Sequence, residues 1–133
     1  MKKLILSTLL CGTIGTGAAA AQTGLEQDQT VVQGFYAIGL ADEVRKNCPT
    51  ISPRLVRAYT FLKALESHAK NAGFTDADID ALKKSAARDR LEAQIRSDLA
   101  ARGARPGNSA GYCQVGREEI ARGTQAGKLL KTN

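Results

Sequence analysis

Residues 31–53 read VVQGFYAIGLADEVRKNCPTISP, and the fold is decided in this stretch. Ala37, Leu40, Ala41, Val44 and Cys48 recur at steps of three and four, the spacing that gathers side chains on one face of an α-helix. Pro49 cannot continue that helix, so the pattern predicts a helix over 31–48 with Cys48 at its inward-facing end. Ser52-Pro53 then reads as a fresh helix start. Ser52 would be the N-cap, and Pro53 would take the first helical position, where a missing N–H costs nothing.

Downstream, Leu55, Tyr59, Leu62, Leu65 and Ala69 form the expected buried stripe of this second helix, which Gly73 ends. Phe74, just beyond, is placed to pack back on the last turn. Thr75 caps a third helix with acids in its first turn, where the helix dipole favours them. Ile79, Leu82 and Ala86 share one face, whereas Leu91, Ile95 and Leu99 fall on nearly the opposite one. A straight helix cannot bury both sets, so a break near Ser85 divides a short helix, Asp76–Lys84, from a longer one, Ala86–Arg102, stopped by Gly103. Residues 103–111 are loop, with Pro106, Asn108 and three glycines. A last helix covers about 111–122, and Gly123-Thr124 caps a short terminal turn carrying Leu129 and Leu130. No stretch alternates with period two, and none is assigned to a strand. The expected fold is all-α, a small bundle of four to five short helices.

Upstream, Lys2 and Lys3 precede an apolar run from Leu4 to Leu10, and small residues follow as far as Ala21. This is the order of a secretory signal, and its apolar core is far short of the roughly 20 residues that span a bilayer. Cleavage is expected between Ala21 and Gln22. Cys11 follows Leu10, where lipoprotein processing needs a small residue, so an anchored lipoprotein is set aside. The chain thus divides into a signal peptide (1–21), a flexible lead-in (22–30) and a single helical domain (31–133). Removing Lys2 and Lys3 lowers the formal charge of +6 by two, and both signs alternate through what remains.

Processing also removes Cys11 and leaves Cys48 and Cys113, an even pair that an oxidising compartment would join. A bridge from 48 to 113 closes a loop of about 66 residues, worth roughly 4 kcal/mol in the chain-entropy model. It should place the Cα atoms about 4.4–6.8 Å apart.

Chemistry is sparse. One His and two cysteines fall short of the ligands a zinc site needs, and His68, between Glu66 and Lys70 along the second helix, reads as an exposed surface residue. No nucleophile stands beside a base in a recognisable turn, and the glycines at 103, 107 and 111 lack the context of a phosphate loop. Asp76, Asp78 and Asp80, and likewise Glu118 and Glu119, read as helix-start acids and solvated helix faces. Asp76 onward lacks the Gly turn and closing Glu of a calcium loop. Arg45, Lys46, Arg54 and Arg57 surround the Cys48 corner as a small basic patch, without the aromatic platforms of a nucleic-acid binder. Gly116, three residues after Cys113, implies that another helix approaches closely beside the bridge. Catalytic, cofactor-binding and metal-ligating residues are therefore all assigned as none.

Three segments resemble a known group: Glu43-Val44-Arg45-Lys46-Asn47-Cys48-Pro49 with Ile51-Ser52-Pro53-Arg54, Gly73-Phe74-Thr75-Asp76, and Tyr112-Cys113-Gln114-Val115-Gly116-Arg117 with Ile120-Ala121-Arg122-Gly123. On these residues the chain resembles a family of small exported bacterial proteins catalogued only as a domain of unknown function. The resemblance implies a shared helical fold and the two cysteines, and carries no activity. The expected role is an exported non-enzymatic protein, periplasmic or secreted, that binds another protein or a cell-envelope partner, without nucleic acid, cofactor or transmembrane segment. The alternatives are a small envelope hydrolase or small-molecule carrier with a carboxylate/Arg site, or an acid-stress chaperone.

Overall fold

The computed structural model describes residues 24–133. Cys11 and the cleavage position Ala21–Gln22 lie outside the described residues. The architecture is all-α, with α1 (Gln29–Asn47), α2 (Leu55–Asn71), α3 (Asp76–Leu82), α4 (Ala86–Ala101), α5 (Ser109–Arg122) and the four-residue α6 (Gln125–Lys128). Two three-residue strands, β1 (Ile51–Pro53) and β2 (Leu130–Thr132), pair antiparallel, with Ile51 opposite Thr132 and Pro53 opposite Leu130. Helix α1 is the central element, packed by α2, α4, α5, α6 and β1. Its predicted stripe is the observed one: Ala37, Leu40, Ala41, Val44 and Cys48 are all buried. They meet Ile95 and Leu99 of α4, Val115 of α5 and Leu130 of β2 in one core.

Local signals were realised where the chain could satisfy itself locally. Thr75 and Asp78 form a reciprocal capping box on α3, Ser85 accepts from the Arg88 amide at the start of α4, and Thr124 caps α6. Gly103 takes φ +87° just past α4, the left-handed geometry of a glycine stop. Phe74 packs on a second cluster of Leu25, Val31, Ala69 and Ile79. Ahead of α1, the described residues form a 3-10 turn over Leu25–Gln27 with Leu25 buried, and Asp28 caps α1.

Two expectations need correction. Ser52 and Pro53 do not begin a helix; they lie in β1, and α2 starts at Leu55 with no side-chain cap. The competing partner is β2: the Arg54 amide donates to the Leu129 carbonyl at 2.7 Å and Arg54 Nε to the Leu130 carbonyl at 2.9 Å, bonds a helix start at Ser52 would forfeit. The buried stripe of α2 is also rotated. Helix α2 is seated by Ala58, Phe61, Leu65 and Ala69, and Leu55, Tyr59 and Leu62 of the predicted stripe face outward.

Gly116 explains how closely α1 and α5 meet. A Cβ there would lie 2.4 Å from Ile51 Cδ1 and 2.6 Å from Val44 Cγ1, both in the core. Gly116→Ala is therefore expected to lower stability by about 1–3 kcal/mol through overpacking, read as a lower urea midpoint at unchanged slope.

Candidate docking surface

Helix α2 leaves one side of its first two turns outside the core. Leu55 is 72% exposed, Val56 80%, Tyr59 63% and Leu62 40%, and steps of one, three and four place them on one side of the helix. Isolated exposed apolar residues are ordinary, but four in register form a patch. Lys63 reaches over the Tyr59 ring, 6.0 Å from its centroid, and pairs with Glu66 at 2.8 Å.

Of the predicted basic patch, the structure keeps one half together. Arg45 and Lys46 both turn to Asp42 of their own helix. Arg54 and Arg57 remain at the exposed start of α2, and neither pairs with a carboxylate among the described residues. Sheet pairing adds two cations that sequence reading missed. Arg54 bonds to the backbone of Leu129 and Leu130, so the exposed Lys128 and Lys131 flank the same corner. Their contribution rests on a contact between segments 76 residues apart, which no local motif announces.

The predicted bridge is present: Cys48 and Cys113 are joined, with Cα atoms 5.0 Å apart. Glu118 and Glu119, read as a solvated face, are split by the fold. Glu119 is buried and accepts from Arg102 Nη1 at 2.7 Å and from the Thr124 hydroxyl. Glu118 takes Arg102 Nη2 at 2.9 Å and Gln114 Nε2 at 3.0 Å, and these donors hold its carboxyl below the ordinary value. Arg102 is thus neutralised by two carboxylates, a structural tie with no free charge to offer a substrate.

Nearby, the Tyr36 hydroxyl donates to Asp98 Oδ2 at 2.8 Å. Burial and this carboxylate push the Tyr36 phenol from an ordinary 10.0 up to about 12. The folded protein therefore keeps a proton that the unfolded chain has released between pH 10 and 12, and stability must fall as pH rises through that window. Tyr36→Phe should remove that component: the difference in melting temperature between variant and parent is expected to shift in the variant's favour from pH 10 to 12.

His68 is not free on the surface; its Nε2 lies 2.9 Å from Asp28 Oδ2. Against the upward push of partial desolvation, the Val31 amide and His68 hold the Asp28 carboxyl below its usual value. Asp76 pairs with Lys70 at 2.8 Å, Asp80 with Lys83 at 3.0 Å, and Asp78 closes the Thr75 box. Among the described residues no three His, Cys, Asp or Glu side chains gather as a metal site. An apolar groove of about 230 Å³ runs between α1 and α4 over Val32, Phe35, Ile38, Leu91 and Ile95. A second, of about 400 Å³, lies between α2 and α3, with Tyr59 and Leu62 at its edge and Lys63, Glu66, Asp76, Asp80 and Lys83 around it.

Residues 23–131, which hold all six described helices and the disulfide, match the model of a family of unknown function, DUF5333. The chain belongs to that family. No curated protein and no solved structure matches it. Within the DUF5333 match fall both cysteines, the exposed start of α2 and the Arg102–Glu119 tie, whereas the predicted cleavage position precedes it. None of the described helices of this DUF5333 chain is long and apolar enough to cross a membrane.

Proposed function

We propose that the protein is an exported, non-enzymatic module, periplasmic or secreted, that docks on another protein or on the cell envelope through the exposed start of α2. The observation that carries this reading is the row Leu55, Val56, Tyr59 and Leu62, left in water by a fold that buries its other apolar stripes. Export is supported by Lys2 and Lys3, the apolar run Leu4–Leu10 and the small residues up to Ala21, and by a disulfide of the kind that persists in oxidising compartments.

The test has two parts. Mass spectrometry of the protein from the extracytoplasmic fraction should give an N-terminus at Gln22. Capture from envelope fractions with the parent and with a Val56→Ser/Tyr59→Ser bait should give a partner held by the first and released by the second, at unchanged melting temperature. A partner retained equally by both baits would sink the reading, as would an intact N-terminus in a cytoplasmic protein.

The groove between α1 and α4 favours a second reading, a carrier of a small apolar molecule. Filling it with Ile38→Phe would abolish uptake of such a ligand and leave α2-dependent docking untouched.

A further inference from the structure

We infer that the surface on which α2 docks is an anionic phospholipid bilayer, with Leu55, Val56 and Tyr59 entering the headgroup layer and Arg54, Arg57, Lys128 and Lys131 meeting its phosphates. This rests on the docking reading above and names its partner.

Between Pro53 and Leu65 the chain carries Arg54, Arg57 and Lys63 and no Asp or Glu, and from Ile120 to Asn133 it carries Arg122, Lys128 and Lys131 and again no Asp or Glu. The β1–β2 pairing joins these two segments at one corner. Of the two acids near the end of α1 to which β1 connects, Asp42 is occupied by Arg45 and Lys46, and Glu43 is the one carboxylate there without a cation partner among the described residues. A protein partner would demand a complementary acidic patch, whereas an anionic leaflet supplies negative charge everywhere the four cations fall.

The side chains stand proud of the fold at a helix start, and the exposures of Leu55 and Val56 are too great for the walls of a cleft. Apolar residues above a ring of Lys and Arg, on a helix that cannot span a bilayer, are the composition of an interfacial anchor. On the α3 side the exposed row borders a groove lined by Glu66, Asp76 and Asp80, each paired with a lysine, so that edge offers the leaflet no net cation.

Vesicle co-sedimentation with the oxidised protein tests this. Binding is expected to vesicles of phosphatidylglycerol with phosphatidylcholine, and not to phosphatidylcholine alone; it should collapse in molar salt, where screening shortens to about 3 Å. Arg57→Glu and Lys131→Glu should each weaken it at least about fivefold, the factor one cation contributes at such a surface. Val56→Ser/Tyr59→Ser should weaken it about tenfold or more. The chain has no Trp, so the emission of a Val56→Trp variant reports that position alone and should shift to the blue on the anionic vesicles.

Equal binding to neutral vesicles, or no binding to anionic ones, overturns the lipid assignment. If the capture experiment then still yields a protein released by the α2 double variant, docking stands and the partner is a protein. Silence in both experiments removes both readings.

Discussion

Reduction of the Cys48–Cys113 bridge is expected to lower stability by about 2–5 kcal/mol, a large share of the roughly 5–15 kcal/mol that holds a domain of this size together. The bridge joins the end of α1 to the second turn of α5 across a separation of 65 residues, so its loss releases most of the bundle to unfolded-state freedom. Both cysteines are buried, and Thr50 Oγ1 lies 3.3 Å from one sulfur and 3.7 Å from the other. A serine at Cys113 would therefore add the cost of a poorly partnered hydroxyl to the loss of the cross-link. Urea unfolding with and without reductant measures the cross-link, and Cys113→Ser against the reduced parent measures the hydroxyl. The expected order of midpoints is oxidised parent, reduced parent, Cys113→Ser. Coincident midpoints for the first two would mean that the bridge does not constrain the unfolded chain.

The parts of this fold legible in the sequence are those with local causes. Thr75, Ser85 and Thr124 each cap a helix because their hydroxyls reach amides two or three residues on, which needs no knowledge of the rest of the chain. The break at Ser85 was legible because two apolar sets on opposite faces cannot share a straight helix. Helix α2 was legible as a helix but not in its rotation. It carries two apolar stripes, 55/59/62 and 58/61/65/69, and only the seat on α1, where Leu65 lies over Gly34, decides which is buried. The two strands are three residues each and lie far apart in the chain, too short for a period to register.

The surface proposed to dock is the product of those two unreadable features. The rotation of α2 exposes Leu55, Val56 and Tyr59, and the sheet delivers Lys128 and Lys131 to the same corner. Sequence reading placed Arg54 and Arg57 in a basic patch but assigned the adjacent apolar residues to the core. The burial of Glu119 did leave a signal: Tyr112, Val115, Gly116 and Glu119 recur at steps of three and four, the same face that carries the close approach of α5 to α1.

Glu119→Ala is accordingly expected to cost about 2–3 kcal/mol. Breaking a fully buried ion pair from one side costs about 3–5 kcal/mol, and the figure is reduced here because Arg102 keeps Glu118 and is partly open to water. Glu118→Ala, at an exposed site, should cost about 1 kcal/mol or less. Adding Arg102→Met to Glu119→Ala should recover part of the stability, since it removes a cation that has lost one of its two carboxylates; no recovery would show that the cost lies in the other contacts of Glu119, the Thr124 hydroxyl among them. The consequence extends to the docking corner. The Glu119 side chain holds the Thr124 hydroxyl and its backbone carbonyl accepts the Thr124 amide at 3.2 Å, so it fixes α6, and α6 leads directly into β2. In Glu119→Ala the Arg54 amide, bonded to Leu129, should exchange its hydrogen faster than amides in the middle of α1. Lipid affinity should fall with it, although no residue of the patch has been changed, because Lys128 and Lys131 would no longer be held at the corner where Arg54 bonds to Leu129 and Leu130.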